Sequence, residues 1–410
     1  MRSPKGRWRA QTLQLAVGWR ARRLAWCILA RMALSLTPLE PALLSPAAQK
    51  ALGPGPAKMM ASRGMVPLGP ADQAAVLYQL SLDGDAGIAT AARATAAGLP
   101  ENLLVGVLAN AALDVRVLDF FAGFIGERAA AFDAVVLNQS TDNSTIARLA
   151  AKANAREIDL IASNEQRLLR CPEIIAAMYF NKQARMSTVD RAVELAIRNN
   201  VKVEGIAAWD EICKALMGGG AKADPAADAL FANVAAACSG DDSALTKAAP
   251  AEPEGGEIQE VIETDNEGNA TIEGKKVPIN QLNLPAKLRL ASIGNAFARS
   301  ILIRDPLKLV AMAVIKSPTV TDNEVAGYAR NAGLVEDVIR YIAGKRDWTK
   351  LYAVKLNLCL NPKTPLPEAT RILPTLRDRD VKTIAKSRGV PSALAAQARQ
   401  MITNRSGGRG

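Results

Sequence analysis

Apolar residues recur along this chain at helical intervals. Leu288, Leu290, Ile293, Phe297 and Ile301 return mostly every three or four positions, which places them on one face of a helix. Arg304-Asp305-Pro306 ends that stripe, and Pro306 fits the first turn of a new helix whose apolar positions are Leu307, Val310 and Val314. Lys316-Ser317-Pro318 breaks the pattern again.

The same succession returns after Pro362 at a shift of about 44 residues, within the period of two-helix repeats. Glu324 falls on Glu368, and the block from Val338 to Ala343 falls on Asp380 to Ala385. A third copy aligns without gaps from Arg170 to Val201 on Arg304 to Val335, setting Met178 on Met312. Thr141-Asp142-Asn143 echoes Thr321-Asp322-Asn323. A lone two-helix unit cannot bury its apolar face, whereas stacked units share a core. The pattern therefore predicts an all-α chain of two HEAT-like α-α repeat arrays, a solenoid, joined by an acidic linker. A compact orthogonal helical bundle is the competing architecture.

The segment Ile293-Gly294-Asn295-Ala296-Phe297-Ala298-Arg299, continuing to Leu302-Ile303-Arg304-Asp305-Pro306, carries a resemblance. So do Asn361-Pro362-Lys363-Thr364-Pro365-Leu366-Pro367 and Lys386-Ser387-Arg388-Gly389-Val390-Pro391. Over about residues 65–403 the chain resembles a group of uncharacterised bacterial HEAT-like helical-repeat proteins with no assigned activity. The resemblance implies a fold and no functional residue.

Charge divides the chain. Residues 1–64 hold 11 Lys or Arg and 1 acid, residues 65–286 hold 18 and 30, and residues 287–410 hold 22 and 9. The formal net charge of +11 thus hides parts of +10, −12 and +13. From Asp241 to Glu273 there are 10 acids and one base, Lys247, among Pro250, Pro253 and the Gly255-Gly256 pair. That composition predicts a solvated tether, with folding back onto the basic array as a less favoured arrangement. The expected divisions are a disordered basic extension over 1–64, an array over 65–217, the linker over 218–286, a basic array over 287–403 and a tail over 404–410. A small hairpin is expected around Thr271 to Val277.

The extension is rich in Arg, with Trp8, Trp19 and Trp26 scattered through it. Its apolar run from Leu24 to Leu36 is interrupted by Arg31 and too short to span a bilayer. A translation start at Met59, Met60 or Met65 is the reading favoured for it over a membrane-surface helix. Five cysteines with no C-x-x-C pair fit a reducing, cytoplasmic setting, with Cys171 and Cys359 as small buried residues.

The sequence contains no histidine, which excludes Ser-His and Cys-His nucleophile pairs and His-ligated zinc. Gly268 to Gly274 has five intervening residues instead of the four of a phosphate-binding loop, and Lys276 stands where Ser or Thr should hold magnesium. Asp265, Glu267 and Asn269 begin like a calcium loop, yet Ala270 replaces its turn glycine. Asp210 beside Trp209 and Asp347 beside Trp348 resemble the acid and aromatic pairs of base-excising helical enzymes, but a helix cap and a core anchor explain them better.

No catalytic, cofactor-binding or metal-binding residue is predicted. The candidate partner-binding residues are Arg377, Arg379, Lys382, Lys386 and Arg388, of which Arg379, Lys382 and Lys386 share one helical stripe. A solvated outer face is the plain explanation of such a run, and Asp378 and Asp380 dilute its charge. The function expected is a non-catalytic scaffold binding another protein, with sequence-nonspecific nucleic-acid binding by the basic array as the alternative.

Overall fold

Short polar side chains open many of the helices, and the computed structural model of the chain shows the caps in place. It describes residues 37–53, 55–217, 224–238, 270–272 and 275–407. Ser45, Asp85, Asp114, Asp142, Asn154, Asn164, Asp224, Asn283, Asn295 and Thr321 each accept a backbone N–H of the first turn. Each such cap stabilises its helix by about 1 kcal/mol. Asn154 with Glu157 and Thr321 with Glu324 form reciprocal capping boxes.

The described residues form two compact units, the chain passing from one to the other between Gly205 and Ile206. The N-terminal unit holds α1 (Pro46–Ala51), α2 (Pro56–Ser62), α3 (Pro70–Ser81), α4 (Ala86–Ala97), α5 (Glu101–Ala109) and α6 (Val115–Ala122). It continues with α7 (Ala129–Leu137), α8 (Asn143–Ala150), α9 (Ala155–Ala162), α10 (Glu165–Arg170), α11 (Pro172–Phe180) and α12 (Met186–Arg198). The C-terminal unit begins with α13 (Trp209–Leu216) and α14 (Pro225–Ala237), then the two strands β1 (Ala270–Ile272) and β2 (Lys275–Val277). Next come α15 (Leu284–Ile293), α16 (Ala296–Leu302), α17 (Lys308–Lys316), α18 (Asp322–Arg330) and α19 (Glu336–Gly344). The last are α20 (Tyr352–Leu360), α21 (Leu366–Ile372), α22 (Asp378–Lys386) and α23 (Ser392–Gly407).

Helices meet near neighbours in the chain. In the N-terminal unit α3 packs on α4 and α5, α5 on α7, α7 on α9, and α8 on α11. In the C-terminal unit α15 packs on α17, α17 on α19, α18 on α20, and α22 on both α20 and α23. The cores are aliphatic and rich in alanine, including Leu77, Leu104, Leu118, Ile146 and Ile158 in one unit and Leu288, Val310, Val338, Ile342 and Leu358 in the other, all fully buried. Burying one such side chain is worth about 1.5–3 kcal/mol. The described residues are thus mainly helical, as the periodicity predicts, with an antiparallel ladder that pairs Ala270 with Val277 and Ile272 with Lys275.

Besides α12, which ends on Asn199, five helices end on asparagine, at Asn110, Asn138, Asn181, Asn331 and Asn361, and these five share a turn. Each Oδ1 accepts the N–H two residues on at 2.8–2.9 Å, which turns the chain sharply out of the helix. Three of these amides also reach back to an earlier turn. Asn138 Nδ2 donates to Leu108 O at 2.8 Å, Asn181 to Ala150 O at 2.8 Å and Ala153 O at 2.7 Å, and Asn361 to Ala329 O at 2.9 Å. A buried helix end is thereby satisfied by the following turn.

Each unit also buries a charge. In the N-terminal unit Asp119 of α6 accepts from Thr145 Oγ1 and Arg148 Nη2 of α8, both at 2.5 Å. In the C-terminal unit Arg299 of α16 is fully buried and forks onto Glu324 of α18, Nε to Oε1 at 2.8 Å and Nη2 to Oε2 at 3.1 Å. Its Nη1 donates to Gly294 O at 2.8 Å and Thr319 Oγ1 at 2.7 Å. Gly294 ends α15 where a Cβ would stand 2.6 Å from Leu290 O, so only glycine lets α16 start there.

Several boundaries differ from those read off the sequence. Residues 37–62, expected as part of a disordered extension, carry α1 and α2 and pack on α3 and α4. Tyr78 Oη donates to Thr37 O at 2.8 Å, Leu39 N–H donates to Gln79 Oε1 at 2.8 Å, and Ala48 and Ala61 are buried. Helix α13, expected to close the first array, packs on α15 and α17, and its Glu211 accepts Lys316 Nζ at 2.8 Å. Within the expected linker α14 packs on α15, where Arg289 Cζ sits 4.9 Å from the Phe231 ring centre. Helix α17 begins at Lys308, two residues after Pro306, because Asp305 Oδ1 holds Leu307 N–H at 2.9 Å in a turn ahead of it. The apolar run from Leu24 to Leu36, the tryptophans near it and most of the acidic stretch lie outside the described residues.

Candidate partner-binding surface

The five cations singled out in the sequence gather around α22. That helix buries Val381, Ile384 and Ala385 and exposes Arg379, Lys382 and Lys386, as its apolar spacing requires. Arg379 and Lys386 lie seven residues apart, about 10 Å along the helix axis at 1.5 Å per residue. Arg388 follows the helix in the exposed loop before α23.

Arg377 is the N-cap residue of α22, and its role is local. Its guanidinium carbon lies 4.7 Å from the centre of the Tyr352 ring, and its backbone N–H donates to Tyr352 Oη at 3.1 Å. Tyr352 Oη donates in turn to Asp380 Oδ2. Burial, reinforced by the Asp380 carboxylate, pushes the Tyr352 phenol up from its ordinary range. Nothing in the local spacing marks Tyr352 as the pivot of this corner, because it stands 25 and 28 residues ahead of its partners.

The two aspartates interleaved with the cations are engaged. Asp380 takes the Tyr352 hydroxyl, and Asp378 is paired with Arg405 of α23. Arg379, Lys382, Lys386 and Arg388 have no ion pair or side-chain hydrogen bond among the described residues. Exposed pairs are worth at most about 1 kcal/mol, so leaving these cations unpaired costs the fold little.

The tryptophan and aspartate of each pair point to different surroundings. Trp209 and Trp348 are 7% and 8% exposed and serve as core anchors, Trp348 stacking edge-on against Tyr341 at 6.0 Å. Asp210 and Asp347 face outward, and neither caps its helix through its side chain. Cys171 and Cys359 are buried, and burial pushes both thiols up to about 12. Cys171 Sγ donates to Glu173 Oε2 at 3.1 Å, which adds to its rise. Among the described residues no group of three or more Cys, Asp or Glu side chains converges in metal-binding geometry.

No protein-family model matches the sequence, and no curated protein or solved structure is significantly similar to it.

Proposed function

We propose that this protein is a non-catalytic scaffold that binds another, acidic protein through the exposed cations of α22 and the loop after it. The observation that carries the reading is a set of four cations without partners among the described residues, Arg379, Lys382 and Lys386 on a helix whose other face is committed to the core and Arg388 in the loop after it. An unpaired cationic stripe attracts an anionic surface and orients it without chemistry of its own. The architecture proposed with it is a pair of HEAT-like arrays joined by the acidic segment, in a cytoplasmic bacterial protein of the family the sequence resembles. The 44-residue shift and the recurring asparagine turns support that arrangement. Stacked helix pairs offer extended surfaces suited to a scaffold.

A second reading is sequence-nonspecific nucleic-acid binding, favoured by the net +13 of residues 287–410. It predicts an affinity for unrelated DNA that falls steeply with salt. The test captures tagged full-length protein from its native cells with and without nuclease, beside a variant carrying Arg379→Glu, Lys382→Glu and Lys386→Glu. A discrete protein that survives nuclease and is lost with the variant supports the scaffold. Recovery of nucleic acid, with every co-purifying protein lost after nuclease, replaces it with the second reading.

A further inference from the structure

A polar groove of about 550 Å³ lies in the N-terminal unit. It is bounded by the start of α6 at Val115, the turn between α7 and α8, and α10. Its volume falls within the range of ligand sites, about 300–1,000 Å³, but its lining differs from that of a usual small-molecule pocket, since Val115 is its one aliphatic residue.

Two guanidinia make the groove positive. Arg167 of α10 reaches across its floor, Nη1 donating to Val136 O at 2.8 Å and Nη2 to Asn138 O at 3.0 Å. Both acceptors are neutral carbonyls, so no carboxylate offsets this half-buried charge, and burial pulls the guanidinium down from its ordinary value. Arg170, one turn further along α10, is exposed and has no ion pair among the described residues. The one acidic side chain in the lining, Asp142, is occupied as the cap of α8, its Oδ1 held by Ser144 N–H at 2.8 Å.

The remaining chemistry is that of primary amides. Gln139, Asn143 and Gln166 line the groove with no side-chain hydrogen bond among the described residues. Each amide presents a donor pair and an acceptor together. A ligand that satisfies them must offer N–H groups as well as oxygens, as a polypeptide backbone does. The free Arg170 guanidinium calls for a carboxylate on the same ligand, which it can grip in bidentate fashion. Phosphate fits poorly, because it brings no donor for the amide oxygens.

We propose that this groove is a second binding site, specific for a short polypeptide segment bearing Asp or Glu. The amides of Gln139, Asn143 and Gln166 take the main chain, and Arg170, backed by Arg167, takes a side-chain carboxylate. The site is independent of the cations around α22 and stands whether or not the scaffold reading does.

The experiment incubates the full chain with two pooled octapeptide libraries, one alternating randomised residues with Asp or Glu and the other alternating them with Asn or Gln. Bound peptides are eluted and sequenced, and the most enriched is titrated by fluorescence anisotropy. The acidic library is expected to be enriched at least tenfold over the amide library. Arg170→Glu is expected to weaken the selected peptide tenfold or more, and Gln166→Ala about threefold. Both changes lie on the surface, and a thermal melt confirms that each variant folds. Lys382→Glu with Lys386→Glu is expected to leave the binding unchanged. Equal recovery from both libraries, indifference to Arg170→Glu, or loss of binding in the α22 variant overturns the assignment. Displacement by inorganic phosphate as effective as by free acidic peptide reassigns the groove to phosphate and likewise overturns it.

Discussion

The N-terminal and C-terminal units turn their chains out of helices with the same asparagine device, yet one helix contact in each buries a charge opposite in sign to the other's. Asn181 and Asn361 each hold the N–H two residues on and reach back to carbonyls of an earlier turn. Between the helices, by contrast, α6 and α8 meet across an acid, Asp119, and α16 and α18 meet across a base, Arg299. The neutral clamp works in either unit because an amide supplies both donor and acceptor. A charge works only beside its own counter-group, so it fixes one particular pair of helices. At the surface both units pair arginines with acids, Arg156 and Arg185 in one and Arg340 and Arg371 in the other, whereas the stripe on α22 has no such pair among the described residues.

The comparison breaks most sharply at the buried charges. Arg299→Ala is expected to destabilise the C-terminal unit by about 3–5 kcal/mol, because it strands Glu324 and the acceptors around it. Asp119→Asn should cost less, about 1–3 kcal/mol, since Arg148 is 36% exposed and water can take over its unpaired charge. Urea unfolding of the two variants measures both. Equal losses would mean that the acid and the base play equivalent parts.

The asparagine clamps come next. Asn181→Ala and Asn361→Ala should each cost about 2 kcal/mol, by leaving buried carbonyls without a donor. Similar shifts in the urea midpoint would support one device used twice. A loss confined to one of them would show that the resemblance of the two turns is only geometric.

Alkaline pH probes the buried thiols. Cys359 titrates near 12 in the folded chain, well above a free thiol, so the folded state keeps a proton that the unfolded state has released. Its contribution is therefore fully present below about pH 8.5 and is lost as pH rises towards 12, at about 1.4 kcal/mol per pH unit. Stability of Cys359→Ala relative to the parent should rise across that window, read by urea unfolding at pH 8, 9 and 10. A difference that does not change with pH would place the thiol in contact with water.

The smallest effect belongs to the α22 surface. Lys382→Glu with Lys386→Glu should change stability by less than about 0.5 kcal/mol, since neither side chain has a partner among the described residues. A larger loss would show that these cations serve the fold, as the arginines of the N-terminal unit do, and would remove them as a binding surface.

Much of the helical pattern is legible in the sequence. The shift of 42 to 44 residues sets Ser317 on Asn361 and Ile339, Ile342 and Ala343 on Val381, Ile384 and Ala385, positions that share their caps and their burial. The gapless alignment of residues 170–201 on 304–335 was misleading. It sets the buried Ile174 on the exposed Lys308, whereas the helix ends place Asn181 opposite Ser317, two residues further on. The shared prolines mislead because Pro172 is the first residue of its helix and Pro306 belongs to the turn before one.

The candidate surface was legible as a stripe and no further. Helical periodicity alone places Arg379, Lys382 and Lys386 together, because the spacing of side chains around a helix is a local property. Whether that stripe is neutralised is a tertiary matter. Asp378 and Asp380 beside it look in the sequence like its counter-charges. The fold instead gives Asp378 to Arg405 and Asp380 to Tyr352, each more than 25 residues away. The sequence determined the helices, their caps and the side each presents to solvent, since those follow from backbone and side-chain preferences over a few residues. Only the packing of α20 and α23 against α22 decided which charges are satisfied, because an ion pair depends on distance in space and on the water excluded around it.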